Sequence, residues 1–499
     1  MVCLALAVAA PLALAVPAAR PSDLAPSVRA EIAALGLSKA RVAVSIRDVA
    51  TGRVVISSLG SEPMVPASNM KLLTTGAVLQ GLGPNFAFQT KLLHDGDRLI
   101  IVGDGDPALG DPELLAQSSF VDGEGKTHTG MTIEHLLDCW VRAVTAAGIN
   151  RIAEVVVDDR ILAREGPHPS WPKDQLDEAY CAPPSGVNFH GNALLVSVAP
   201  APGGAPTITR LSPAAPWLTI TNKGTSRQGK GDRNTMWIAR SPETGGLTLY
   251  GNVKTAPESP ITVGLGDPGL FMGQCLSDRL RRRGIAVGST RMARMDEGSP
   301  SGDVIGPVLR TPLSTVITKC NVESENLYAE ALLKRLGALV TGRAGSWSNG
   351  AATVAQAVKA RIGSATGFAV SDGSGLSRDN RVTADGMTAW IASLASDSTL
   401  SAQFLASLAV AGKSGTVAKR MKDINPAEAI VQCKTGYIDK VSCLSGVVTS
   451  GDGTRYAFSV LGNNLSEKDA VGKLKRLQDR IAKLIAQSIG TTTRSAIGG

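Results

Sequence analysis

Apolar and polar positions alternate through Val42-Ala43-Val44-Ser45-Ile46 and again through Val54-Val55-Ile56, with Thr51-Gly52 between them. A period of two broken by a Gly-containing turn predicts strand, turn, strand. The pattern then changes. Met64-Val65-Pro66-Ala67-Ser68 leads into Asn69-Met70-Lys71-Leu72-Leu73-Thr74-Thr75-Gly76-Ala77-Val78-Leu79. Pro66 and Ser68 suit a helix start, and the apolar run behind them suits a buried helix. From about 89 to 300 the apolar segments are short and separated by Gly-Asp turns and Pro-rich loops, such as Gly103-Asp104-Gly105-Asp106-Pro107 and Ala182-Pro183-Pro184-Ser185-Gly186. This stretch reads as an insert of one or two β-rich subdomains, with an amphipathic helix at 131–148 and a strand at Glu154-Val155-Val156-Val157. Long helical periods return from about 310, at 324–340 and 351–362. The end alternates again at Ala429-Ile430-Val431-Gln432, Cys443-Leu444-Ser445-Gly446-Val447-Val448 and Tyr456-Ala457-Phe458-Ser459-Val460, and an amphipathic helix at about 466–488 follows. Strands at both ends with helices between them predict an α+β fold whose sheet is completed by both ends of the chain.

Composition narrows the class. Apolar residues make up 43% and charged residues 19%, a globular profile. The net charge of +8 is dispersed, without a basic block interleaved with aromatics, so nucleic-acid binding is not implied. Arg281-Arg282-Arg283 before Gly284 reads as a helix C-terminus, where cations offset the helix dipole. The first twenty residues are an apolar, Pro-interrupted run ending in small residues, without the basic flank that usually precedes one. They read as a secretory signal cleaved after Ala18 or Ala19, which predicts export to the periplasm or the extracellular space. No later stretch is long and apolar enough to span a bilayer. Apart from Cys3, the cysteines are scattered without a Cys-x-x-Cys pair; Cys433 and Cys443 could face each other across a hairpin. His94, His128, His135, His168 and His190 form no His-Glu-x-x-His, so a zinc peptidase is not supported. Nothing in the spacing joins a Cys to a His for a cysteine hydrolase.

Three short motifs carry chemistry. Ser68-Asn69-Met70-Lys71 puts a hydroxyl and an amine three residues apart, on one face of a helix. A serine needs an adjacent base to become a nucleophile, and a desolvated lysine beside other cations gives up its proton readily. A second copy, Ser170-Trp171-Pro172-Lys173, contains a proline that disfavours an uninterrupted helix. Ser324-Glu325-Asn326 starts a helix, where an ordinary N-cap is the alternative reading. Lys434-Thr435-Gly436 lies on a strand, its glycine admitting a ligand close to the backbone; Lys413-Ser414-Gly415-Thr416 competes for the same role. Strand alternation turns Lys434 and Cys433 to opposite faces, Cys433 away from the site.

Ser-x-x-Lys, Ser-x-Asn and Lys-Thr-Gly in this order resemble the signature of penicillin-binding proteins and class A β-lactamases. The long separation of Ser68 from Ser324, together with Tyr180-Cys181-Ala182-Pro183, Thr311-Pro312-Leu313, Asn326-Leu327-Tyr328-Ala329-Glu330 and Asp372-Gly373-Ser374-Gly375-Leu376-Ser377-Arg378, resembles the class C low-molecular-mass penicillin-binding proteins. These are D-alanyl-D-alanine carboxypeptidase/endopeptidases of serine peptidase family S13. The resemblance implies a penicillin-binding domain, an antiparallel sheet flanked by helices, formed by 20–88 and 301–490. It sets 89–300 apart as inserted subdomains and 1–19 as the signal. It implies Ser68 as nucleophile and Lys71 as its base. It implies further that Ser324 relays a proton to the leaving amine, that Asn326 holds the substrate amide and Lys71, and that Lys434 attracts the substrate carboxylate. Thr435, Gly436 and Tyr437 line the substrate, with the N–H groups of Ser68 and Tyr437 as oxyanion hole. Arg378 and Asp158 would grip the free end of diaminopimelate, with Asp159 an equal neighbour of Asp158. The implied partners are peptidoglycan peptides and β-lactams as covalent inhibitors, without cofactor or metal and without nucleic acid; peripheral membrane contact is compatible with it. Two positions depart from the family pattern. Tyr437 stands where Thr or Ser is usual, which removes a small hydroxyl for the carboxylate, and Glu325 stands where Asp is common, with its side chain expected to point outward. On the same scaffold, a β-lactamase or esterase and a non-catalytic cell-wall-binding protein are the alternatives.

Overall fold

A computed structural model describes residues 24–121, 125–241 and 244–490; the expected signal, 1–19, lies outside the described residues. Its centre is a six-stranded sheet in the order Ala409–Val410, Ala429–Ile438, Val441–Ser450, Arg455–Asn463, Arg41–Asp48, Val54–Ser58. Every neighbouring pair is antiparallel, and Arg41–Asp48 pairs with Arg455–Asn463, so the two ends of the chain do close one sheet.

Both faces of this sheet are covered. Val441, Cys443 and Val447 face a core built with helices Met70–Leu82, Leu313–Val322, Asn326–Thr341, Trp347–Ile362 and Ala384–Ala395. Leu444 and Val448, on the alternate positions, face Leu474, Leu477, Ile481 and Ile485 of helix Ala470–Gly490. A strand covered on both faces carries apolar residues at nearly every position, which is why Val441–Ser450 shows little alternation.

The same parity disposes of the expected cysteine pairing. Cys433 lies opposite Gly446 and Cys443 opposite Gly436, an offset of an odd number of residues. Cys433 therefore packs with the C-terminal helix and Cys443 with the opposite core, and both thiols are free.

The inserted region has its own core. Strands Ala286–Met292, Arg151–Asp158, Arg98–Val102, Ala87–Asp95 and Asp303–Val304 form a mixed sheet, with Leu309–Pro312 also on Ala87–Asp95. Helices Ile133–Ala146 and Pro268–Arg282 bury Leu137, Trp140, Met272 and Leu276 in that core. Two three-stranded sheets and the two-stranded pair Ser119–Val121 with Thr127–Thr129 complete the β-rich portion among the described residues. Polar contacts dock the region onto helix Asn326–Thr341 and its neighbours. Arg335 Nε donates to Asp104 at 2.8 Å, the Tyr328 hydroxyl to Asp111 at 2.6 Å, and Lys319 Nζ to Glu113 at 2.6 Å. Trp171 Nε1 donates to Asp372 at 2.9 Å. These contacts tie the helix that begins at Asn326 to the wall opposite it.

Candidate active site

The chain enters the first motif under constraint. Ala67, immediately before Ser68, has φ 46°, a region in which a Cβ is disfavoured. It leads through a 3₁₀ turn, Ala67–Asn69, into helix Met70–Leu82. Gly375 (φ 86°) packs against that bend; a Cβ there would lie 1.8 Å from the Ala67 carbonyl oxygen. Ser68 is half-buried and opens onto a cavity of ≈ 470 Å³, lined also by Ser324, Asn326, Arg378 and Tyr437.

Lys71 is fully buried one helical turn on. Its Nζ lies 3.1 Å from Ser68 Oγ, 2.7 Å from Asn326 Oδ1 and 3.1 Å from the Ser374 carbonyl oxygen. An ammonium has three donors, and these three acceptors use all of them. Burial pushes the Lys71 amine below its usual range, against the pull of nearby Glu330, Asp372 and Glu325. Once deprotonated, Lys71 can accept only from a group that owns a proton, and of its three partners that group is the Ser68 hydroxyl.

Asn326 is the first residue of its helix, and both ends of its amide are engaged, since Nδ2 donates to the Tyr180 carbonyl at 3.1 Å. Ser324 sits between two helices with φ 69°, a second non-glycine residue in the left-handed region beside the cavity. Glu325 does not point outward as expected. It lines the cavity, and burial raises its carboxyl above the usual range.

Lys434 is buried on the Lys71 side of strand Ala429–Ile438, opposite in face to Cys433. Burial, then repulsion from Lys71, brings its amine down to about 7. Gly436 passes very close to the serine turn: a Cβ on it would meet the Pro66 carbonyl oxygen at 2.7 Å and the Ser68 nitrogen at 3.1 Å. Thr435 Oγ1 donates to Thr416 Oγ1 at 2.7 Å, so the segment that competed for the third motif instead buttresses it. Tyr437 is 58% exposed, and its ring lies under Lys475 Nζ, 5.4 Å from the ring centroid. Arg378 lines the outer cavity and donates to the Asp439 carbonyl at 2.7 Å.

Asp158 is not brought to this cavity. It ends strand Arg151–Asp158 in the insert and is bound by Arg160, with Nη2 to Oδ2 at 2.7 Å and Nε to Oδ1 at 2.9 Å. Asp159 is likewise paired with Arg164. Both carboxylates are satisfied by arginines close in the sequence, which leaves neither directed at a ligand beside Ser68. The second Ser-x-x-Lys copy is a turn followed by the 3₁₀ segment Lys173–Gln175, and its Ser170 hydroxyl meets His168 and Ser377 instead of Lys173.

Several residues that complete the site were missed. Glu330, wholly buried, accepts the N–H of Gly373 at 2.7 Å and of Ser374 at 2.8 Å, fixing the carbonyl that holds Lys71. Burial and the neighbouring Asp372 raise the Glu330 carboxyl to about 8. The carbonyls of Ser374 and Tyr180 leave no trace in a sequence, because every residue has one. Glu330 does leave one: an acidic residue among apolar chain neighbours, between Tyr328-Ala329 and Ala331-Leu332-Leu333, within a helix.

A helix-borne Ser–Lys pair, an asparagine spanning two walls and a lysine strand closing the cavity, all set against an antiparallel sheet packed between helices, define a serine hydrolase of the penicillin-recognising kind. Within that class the chain belongs to the D-Ala-D-Ala carboxypeptidase 3 (S13) family, whose pattern matches residues 24–487. It is 30% identical over 494 residues to the D-alanyl-D-alanine carboxypeptidase of Actinomadura sp. (strain R39), covering 95% of this chain and 86% of that protein. It is 21% identical over 461 residues to the D-alanyl-D-alanine carboxypeptidase DacB of Haemophilus influenzae, covering 86% of this chain and 87% of that protein. The fold matches the crystal structure of penicillin binding protein 4 (dacB) from Haemophilus influenzae with a TM-score of 0.70 at 20% identity, over 95% of this chain and 99% of that one.

Proposed function

We propose that this protein is a serine DD-peptidase that hydrolyses D-alanyl-D-alanine ends and/or D-alanyl-diaminopimelate cross-links of peptidoglycan through an acyl-enzyme on Ser68. The observation that carries this reading is the 3.1 Å separation of Lys71 Nζ from Ser68 Oγ at the wall of an open cavity. Lys71 accepts the serine proton as Oγ attacks the D-alanyl carbonyl. The oxyanion of the tetrahedral intermediate is held by the backbone N–H groups of Ser68 and Tyr437. Strand register supports the second donor. Ile438 pairs with Val441 across a two-residue turn, so their peptide groups bond to each other, and alternation turns the Tyr437 N–H outward, toward the serine turn. Each such donor contributes on the order of 3 kcal/mol to acyl transfer. Ser324 passes a proton to the departing amine, and the C–N bond breaks. Water then attacks the ester, releasing the shortened peptide and restoring Ser68. Lys434 supplies the positive field for a substrate carboxylate, with Thr435 and Gly436 lining the peptide. Arg378 meets the outer end of the substrate; Asp158, held by Arg160, has no part in this reading.

A β-lactam enters the same cycle and stops at the ester. The substrate, together with the signal expected at 1–19, supports work outside the cytoplasmic membrane. Among the described residues no helix is long and apolar enough to cross a membrane.

The test is intact mass after benzylpenicillin, with the adduct mapped to a residue, followed by release of D-alanine from a diaminopimelate pentapeptide. One penicilloyl group on Ser68, lost in Ser68→Ala, is the expected result. An adduct on another residue, or labelling that survives Ser68→Ala, overturns the nucleophile.

A further inference from the structure

One part of the insert contributes nothing to the Ser68 cavity and yet presents a distinctive surface. Strands Ile220–Asn222, Leu247–Tyr250 and Trp237–Arg240 form a small three-stranded sheet. Trp237 and Tyr250 are direct cross-strand partners, their rings stacked at 4.8 Å with 21° between planes. Such a pair stabilises a sheet by up to about 1 kcal/mol. Stability alone does not account for its exposure, because Trp237 keeps 53% of its surface in water. Lys223 Nζ sits over the Tyr250 ring, 5.9 Å from its centroid.

Beside the aromatic pair is a basic loop with a built base. Asn252, two residues beyond Tyr250, donates through Nδ2 to the carbonyls of Arg227 (3.2 Å) and Arg233 (3.1 Å) and accepts the Arg227 N–H through Oδ1 (2.7 Å). One amide therefore clamps both arms of the loop and holds Arg227 and Arg233 near each other. Asp232, the acidic residue within the loop, turns inward to accept the Gly229 N–H at 2.7 Å. Lys223, Arg227, Lys230 and Arg233 are exposed, and none is in an ion pair among the described residues. Elsewhere on this molecule exposed arginines commonly do find carboxylates, as Arg283 finds Asp138 and Arg480 finds Glu31. Unpaired cations beside an open aromatic face are complementary to a ligand with flat apolar faces and negative charge.

We propose that this sheet and loop form a docking surface for the glycan of the cell wall itself, a polymer of sugar rings whose substituents bear carboxylate groups. Ring C–H faces rest on Trp237 and Tyr250, and the anionic groups meet Lys223, Arg227, Lys230 and Arg233. The choice of a glycan rests on the DD-peptidase reading, since the peptides cut by such an enzyme are carried on a glycan. The surface would hold the enzyme on the wall while the Ser68 cavity samples peptide ends.

The experiment is co-sedimentation of the full chain with purified cell-wall sacculi, before and after hydrofluoric acid removes phosphodiester-linked polymers. Benzylpenicillin labelling is followed in the same samples. Wild-type protein is expected to pellet. Trp237→Ala and the double variant Lys230→Glu/Arg233→Glu are expected to weaken binding at least 10-fold, with unchanged labelling of Ser68. Added salt should weaken wild-type binding and shrink the charge-reversal effect. Binding is expected to survive acid treatment; its loss would place the anion on a phosphodiester-linked polymer and overturn the assignment to the wall glycan. Because Trp237→Ala can loosen its sheet, the charge-reversal variant, which leaves the aromatic pair intact, decides the case with a melting curve beside it. Variants that pellet like wild type overturn the proposal. So does wild-type protein that prefers a DNA oligonucleotide or anionic phospholipid vesicles to the glycan. Failed labelling with intact sacculus binding would instead count against the catalytic reading.

Discussion

Glu330 acts on Lys71 through one residue, Ser374: its carboxyl group accepts the N–H groups of Gly373 and Ser374, and the Ser374 carbonyl accepts from Lys71 Nζ at 3.1 Å. Glu330→Gln keeps the volume but offers one acceptor where two N–H groups need one each, and it removes a carboxyl that ionises near pH 8 and, once ionised, favours protonated Lys71. Acylation by penicillin is expected to slow about 10- to 100-fold. Above about pH 8, where the wild-type carboxyl ionises and holds the Lys71 proton, the variant's rate should complete its rise at lower pH than that of wild type. A uniform rate loss with an unmoved pH profile would assign Glu330 a purely structural part.

Lys434 gives a second pH signature. Its amine is brought to about 7 by burial and by Lys71, so in the free enzyme its charge fades as pH rises through that value. The kcat/KM for peptides with a free terminal carboxylate should therefore fall above about pH 7, since that parameter follows the free enzyme. A matched substrate with the carboxylate amidated should lack this descending limb. Parallel profiles for the two would remove Lys434 from carboxylate recognition.

Gly436→Ala places a methyl group 2.7 Å from the Pro66 carbonyl oxygen and 3.1 Å from the Ser68 nitrogen. Both atoms are backbone, so the strand or the serine turn must shift. A displacement of the oxyanion donors costs about 100-fold or more in rate, while an added methylene costs about 1–3 kcal/mol of stability. Penicillin acylation kinetics and a denaturation curve on one preparation separate the two effects.

Asp106 should make stability pH-dependent where the insert docks. Its buried carboxyl is raised to about 6, with Thr311 Oγ1 donating to it at 2.5 Å. The folded state thus holds this proton more tightly than the unfolded chain. Its stabilising contribution is full below about pH 4 and is lost as pH rises through about 6, by roughly 3 kcal/mol in total. Asp106→Asn retains an acceptor for Thr311 and cannot ionise. Relative to wild type, it should gain stability between pH 4 and 7, measured as a difference in urea unfolding free energy. A constant difference across that range would contradict the role given to Asp106.

Much of the site was legible because its spacing is local. Ser68 and Lys71 are one helical turn apart, so their meeting follows from the helix itself. Lys434 and Cys433 are adjacent on a strand, so their separation onto opposite faces follows from the pleat. The helix at 131–148 was visible for a similar reason: an amphipathic period survives as Ile133–Ala146 because one face is buried and the other wet. Helices Leu313–Val322 and Ala384–Ala395 were not anticipated. Each is largely buried, and burial on several sides erases the polar face that marks a helix.

What the sequence determined by itself was the inventory and order of reactive groups, the class of each main element and the closure of one sheet by both ends of the chain. The tertiary structure decided which acceptors surround Lys71, that Asp158 belongs to Arg160 rather than to a ligand, that Glu325 turns inward, and that Cys433 and Cys443 lie on opposite sides of a sheet. The division has a physical cause. Helix and strand periods relate residues a few positions apart, whereas backbone carbonyls and ion pairs are partnered by whichever segment packing brings within about 3 Å.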